Sequence, residues 1–163
     1  MALDWTTAAW FLPFVLPITI WVAWSDMATM KIPNKAVLAL LAVFVVVGLV
    51  ALPFNDYLWR YAHFGVVIVI GFILSSLGAM GAGDAKYAAA MAPFIAVPDL
   101  QVFFLLLGGV TIVAFLLHRG ARRTPKIRDR FPNWESWTRR EFPMGFALAP
   151  ALFFYLLIGL LAG

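Results

Sequence analysis

Cysteine is absent from this 163-residue chain, histidine occurs twice, and only eight side chains carry a carboxylate. Without cysteine there is no disulfide framework, no thiol nucleophile and no thiolate metal site. Charged residues make up 12% of the sequence against roughly a quarter in soluble domains, while 64% is hydrophobic and the mean hydropathy is +0.93. A soluble fold is thereby excluded, and an integral membrane protein is expected. Nearly all the length goes into apolar segments, so residues 1–163 read as a single membrane-embedded domain. The start, Met1-Ala2-Leu3-Asp4-Trp5, lacks the basic region and small-residue cleavage site of a removable signal peptide, so the first apolar stretch is expected to be retained. No internal repeat, low-complexity tract or nucleotide-binding signature is present, and no nucleic-acid partner is expected.

A membrane-spanning helix needs about 20 apolar residues, with roughly 17 as the lower end. Five stretches qualify: Ala8 to Trp24, Ala36 to Leu52, Ala62 to Met80, Leu100 to Leu117, and Gly145 to Leu161. A sixth, Tyr87 to Val97, is short and interrupted by Pro93, and by length alone suits a re-entrant or buried helix. Charge decides between the two. If all six cross, every Lys and Arg except Arg60 falls on one side, with Asp4, Asp56 and Asp99 on the other. If the short helix did not cross, the basic segment from Arg119 to Arg140 would move outside, against the positive-inside rule. The expected fold is therefore all-α and polytopic, with six transmembrane helices, the fourth short, and both termini outside. Asn34 is expected to cap the second helix. Trp134 and Trp137, in the basic loop, are expected at the headgroup level.

What stands out in this apolar background is Gly81-Ala82-Gly83-Asp84-Ala85-Lys86, which places a carboxylate between glycines and a lysine after a long apolar run. A second carboxylate, Asp26, ends another apolar run just before Lys31-Ile32-Pro33-Asn34. Singly, each has an ordinary explanation: Asp84 as a helix N-cap, Asp26 as a polar residue at the interface. As a pair they share the cytoplasmic face, and Gly81 and Gly83 permit close backbone approach beside one of them. Two neighbouring carboxylates cannot both ionise easily, so they share a proton. The ionised member can then take a proton from a water attacking a peptide carbonyl, while the protonated member donates to the developing oxyanion. Such chemistry needs no cofactor or metal, and none is expected. His63 and His118 fall on opposite sides of the membrane and cannot share a site.

Asp26 followed by Ile32-Pro33-Asn34, then Gly-x-Gly-Asp-x-Lys at 81–86, resembles the type IV prepilin peptidases, six-span membrane aspartic proteases of the GxGD class. The segment Phe142-Pro143-Met144-Gly145-Phe146-Ala147-Leu148-Ala149 is similar to the family's Pro-aromatic-Gly opening of the last helix, with Met144 in place of the usual aromatic. The resemblance implies that Asp26 and Asp84 are catalytic, that Gly81 and Gly83 form the active-site loop, and that Lys86 occupies a position usually basic. Lys86 reads either as an anchor of the fourth helix at the cytoplasmic surface or as an electrostatic influence on the carboxylates.

The resemblance also implies a multi-pass protein of the inner (plasma) membrane whose active site is at the cytoplasmic face. Its substrates would be prepilins or pseudopilins, cut after a short basic leader, typically after glycine. Larger relatives add an N-terminal cysteine-bearing, zinc-binding region for N-methylation. No such region is expected here, so the chain is similar to the short, peptidase-only form of tight-adherence (Flp-type) pili. Other readings are a preflagellin (archaellin) peptidase, which shares the aspartate pair, and a transporter or assembly subunit, against which the absence of repeats counts. The basic loop is expected to orient the protein and meet anionic lipid headgroups, with docking of pilus assembly machinery as a second reading.

Overall fold

The computed structural model describes residues 2–162, which form seven α-helices joined by short links, with no strand among them. Helix α1 spans Trp5–Thr29, α2 Asn34–Ala51, α3 Phe54–Ser76, α4 Ala82–Met91, α5 Leu100–Arg123, α6 Pro125–Arg130 and α7 Gly145–Leu161. Helices satisfy every backbone group within the segment, which a bilayer core demands. Four are long and apolar enough to cross a membrane: α1, α2, α3, and α5 with the turn preceding it. The apolar α7, at 17 residues, is shorter.

The boundaries follow local chemistry and refine the sequence reading. Helix α1 runs past Trp24 through Asp26 and stops where Met30 turns left-handed at φ 52°, its N–H donating to the Asp26 carbonyl at 2.9 Å. Asn34 is not the cap of α2. Pro33 takes that position, extended at φ −64°, and its carbonyl accepts the first helical N–H groups from Ala36 and Val37. Proline suits the entry to a helix because its missing N–H would have no partner there. Helix α3 begins at Phe54, eight residues before the expected stretch, because Pro53 starts it and Asn55–Tyr61 continue it. It ends before Gly78, whose φ of +73° only glycine adopts without strain.

Helix α4 has ten residues, yet it is the centre of the bundle. Tyr87, Ala89, Ala90 and Met91 are buried, with Phe94 in the 3-10 turn that follows at Ala92–Phe94. Pro93 and Pro98 break the α pattern there and carry the chain through two 3-10 turns to α5. Around α4 pack α2, α3 and α7; α1 lies between α2 and α7, and α5 against α7. The rings of Phe11, Phe44 and Phe94 meet at centroid separations of 4.9–6.2 Å in the core. The outward faces of α3 and α5 expose large apolar side chains such as Phe72 and Leu105.

One end of the bundle is tied shut. The Asp99 carboxylate accepts hydrogen bonds from the Ala2 and Leu3 amides at 2.7 and 2.9 Å and from the Tyr155 hydroxyl at 2.9 Å. Arg60 donates to the Pro93 carbonyl at 2.9 Å. Asp99 and Arg60, which the charge count treats as markers of the outer side, are both buried. Helices α1, α2, α3, α4 with its 3-10 turns, α5 and α7 run in turn between this end and the opposite one, where Asp26 and Asp84 lie. Single cysteines at exposed Asp56 and Lys126 would read the orientation without background, since the native chain has none. A membrane-impermeant thiol reagent should label Asp56→Cys and Lys126→Cys from opposite sides of the membrane only. Labelling of both from one side would contradict the alternation.

Candidate active site

At the open end a cavity of about 820 Å³ is walled by three stretches far apart in sequence: Asp26 to Asn34, Gly78 to Lys86, and Arg139 to Met144. Asp26 stands in the last turn of α1 and Asp84 in the first turn of α4, close enough for their charges to act on one another. Asp26 is buried and Asp84 half-buried. Neither has an ion-pair partner among the described residues, where the single such pair joins Arg139 to Glu135 at 3.5 Å.

Each carboxylate is held by backbone. The Gly145 amide donates to Asp26 Oδ2 at 2.6 Å, and the Phe146 amide also points at this carboxylate. These are the first N–H groups of α7, which have no partner inside their own helix. The residue before them, Met144, has no side chain able to cap, so Asp26 does so from another helix, 119 positions away. Gly145 is required by this contact: a Cβ there would lie 2.9–3.1 Å from the Asp26 carboxylate and its Cβ. The sequence motif shows a glycine at this position but not its use; the clue was a helix start preceded by Pro143-Met144, with no capping side chain of its own.

Asp84 is not the N-cap of α4. That position is Gly81, extended at φ −65°, and the Asp84 carboxylate reaches back toward its amide. A Cβ on Gly81 would come within 2.6 Å of Asp84 Oδ2, whereas one on Gly83 would meet nothing nearer than Ile32 at 3.6 Å. The two glycines therefore differ in kind. Gly81→Ala should push the carboxylate aside and lower any activity that depends on it by about 10²-fold, while the helical fold survives. Gly83→Ala should leave the carboxylate in place. Circular dichroism with an activity assay checks both, and an unaffected Gly81→Ala protein would contradict the packing described.

Lys86 is exposed and donates to Asn34 Oδ1 at 3.4 Å, tying the first turn of α4 to the first turn of α2 rather than reaching either aspartate. His63 and His118 lie on separate helices, His63 in the first half of α3 and His118 stacked on Trp137 near the end of α5. Trp137 is buried within the protein, with Trp134 stacked on it and Trp24 set edge-on against Trp134. The basic loop is thus a folded cap over α1 and α5. Beside the carboxylate cavity an apolar groove of about 620 Å³ runs between α3 and α5 across Ala88 and Ala92, and Met80 borders both spaces.

Long apolar helices around an open, carboxylate-bearing cavity define a multi-pass membrane protein with a polar site at one end of its bundle. A sequence model of the type IV leader peptidase family matches residues 13–117, a stretch holding Asp26, Asp84 and the glycine loop. The chain belongs to that family. It is accordingly a peptidase, a hydrolase of the kind that processes prepilin-type leaders. No match was found among curated proteins, and none among solved structures.

Proposed function

We propose that this chain is an aspartic endopeptidase of the inner membrane that removes the short basic leader of Flp-type prepilins at the cytoplasmic face, using Asp26, Asp84 and a water. The observation that carries this reading is the meeting of residues 26–34, 81–86 and 142–144 around one cavity holding both carboxylates. Its chemistry follows from the pair: sharing one proton, one carboxyl group activates water and the other protonates the oxyanion. All six passes cross the bilayer, the short α4 included, which puts the cavity on the side of the basic loop. The groove between α3 and α5 supports the substrate pose. An apolar substrate helix lying there would leave its leader at the carboxylates, since Met80 borders both spaces.

The cut must fall where the substrate backbone is extended, because a helix hides its carbonyls in internal hydrogen bonds. Glycine before the cut, a poor helix former, suits this. The expected loop is instead a helix start: Gly81 at the N-cap of α4 and Gly83 in its first turn face that extended stretch, and Lys86 braces the helix against α2. Given an Flp-type prepilin and a preflagellin in separate reactions at equal concentration, the protein should process the prepilin and leave the preflagellin essentially intact. Preferential cleavage of the preflagellin would overturn the substrate assignment.

A further inference from the structure

A second cleft, of about 650 Å³, opens where α5 ends, lined by Arg119, Arg122, Arg123, Arg128, Arg140 and Trp137. The five arginines come from α5, α6 and the segment before α7, so the fold itself gathers them. No carboxylate lines the cleft, although Asp129, Glu135 and Glu141 are near in sequence. Like charges repel, yet the fold brings the five together and holds two of them in place. Arg119 lies over the Phe115 ring at 5.3 Å, and Arg122 donates to the Arg139 carbonyl at 3.0 Å. The floor is equally fixed: Trp137 donates from Nε1 to the Phe131 carbonyl at 2.8 Å and stacks on His118.

We propose that this cleft binds the phosphate headgroup of an acidic phospholipid. Guanidinium groups match phosphate oxygens in pairs, which an ammonium does not, and the loop's one lysine, Lys126, does not line the cleft. The source of the phosphate is set by what adjoins it. Ile112, Leu116, Arg119 and Arg123 recur at helical spacing on one face of α5, and Ile112 and Leu116 are among its most exposed apolar residues. An acyl chain lying along that apolar stripe delivers its headgroup to the arginines at the stripe's end. A soluble phosphate would make no use of the stripe, and a basic leader peptide would be repelled. Five cations facing one cleft favour a headgroup bearing two phosphates over one. The bound lipid would also steady the segment from Arg139 to Phe142, which walls the carboxylate cavity and is joined to the cleft through Arg122 and Arg140.

The test is native mass spectrometry of the full chain, delipidated in detergent and titrated with phosphatidylcholine, phosphatidylglycerol or diphosphatidylglycerol, with inorganic phosphate as a separate arm. The wild-type protein should retain one diphosphatidylglycerol at least tenfold more tightly than phosphatidylcholine, with phosphatidylglycerol between them and millimolar phosphate failing to displace it. The triple variant Arg119→Gln, Arg123→Gln, Arg140→Gln should lose that preference, and Lys126→Gln should keep it. Should the triple variant not fold, Arg123→Gln and Arg140→Gln singly, both at exposed positions, should each weaken the preference. Equal retention of neutral and acidic lipid, preference unchanged in the arginine variants, or full displacement by inorganic phosphate would each overturn the proposal.

Discussion

Asp84→Asn and Asp26→Asn should each abolish leader cleavage while leaving an inserted, folded protein. Asparagine keeps the shape and an acceptor oxygen but neither takes nor gives the proton that the reaction moves. Loss of one general acid or base costs about 10²–10⁴-fold in rate, so residual cleavage should fall near or below detection. The fold should survive for a reason visible at Asp26: the Gly145 amide donates to its side chain at 2.6 Å, and an asparagine oxygen can still accept it. Asp26→Ala is different. It leaves a buried N–H at the start of α7 unpartnered and should lower stability by about 1–3 kcal/mol in addition to abolishing activity. Comparing thermal unfolding of the Asn and Ala variants separates the positional role of Asp26 from its chemistry, and near wild-type cleavage by either Asn variant would remove that aspartate from the mechanism.

The second large effect is expected at Gly145, a residue with no chemistry of its own. In Gly145→Ala the new methyl would stand 2.9–3.1 Å from Asp26 Oδ2, Cβ and Cγ, inside ordinary van der Waals contact. Either α7 moves or the Asp26 carboxylate does, and in both cases the 2.6 Å hydrogen bond is strained. Overpacking of this sort costs about 1–3 kcal/mol, and a displaced carboxylate should cost about 10²-fold in rate besides. Gly159→Ala provides a contrast: it also meets a neighbour, Leu3 at 2.5 Å, but at the opposite end of the bundle. That variant should lose stability and keep its activity at temperatures where it is folded. Equal activity of Gly145→Ala and the wild type would show that Asp26 does not need the geometry described.

Much of this was legible in the sequence, and the residues show why. Apolar length announced the helices, and the asymmetry of Lys and Arg placed Asp26 and Asp84 at one end, because both signals are carried by residues taken one at a time. Family membership was readable because the motifs around Asp26 and Asp84 lie in short, contiguous stretches. Contacts between distant residues were not readable. Nothing near Asp26 in sequence points to the Gly145 amide, and nothing near Asp99 points to Ala2, Leu3 and Tyr155. Charge counting used Asp99 and Arg60 only to mark one side of the chain; that the fold buries both and satisfies them with backbone and hydroxyl partners was not visible to it. The arginines of the basic loop read as an orienting segment that meets lipid headgroups; the aromatic packing of Trp24, Phe131, Trp134 and Trp137 that shapes it emerges only where the loop folds back against α1 and α5.

The most direct test of the central claim is mass spectrometry of the leader released from an Flp-type prepilin by the purified protein in liposomes, run beside the Asp84→Asn variant. The account predicts one cut, immediately before the substrate's hydrophobic helix and after its glycine, made by the wild type alone. A cut within the hydrophobic helix, or the same product from Asp84→Asn, would contradict it.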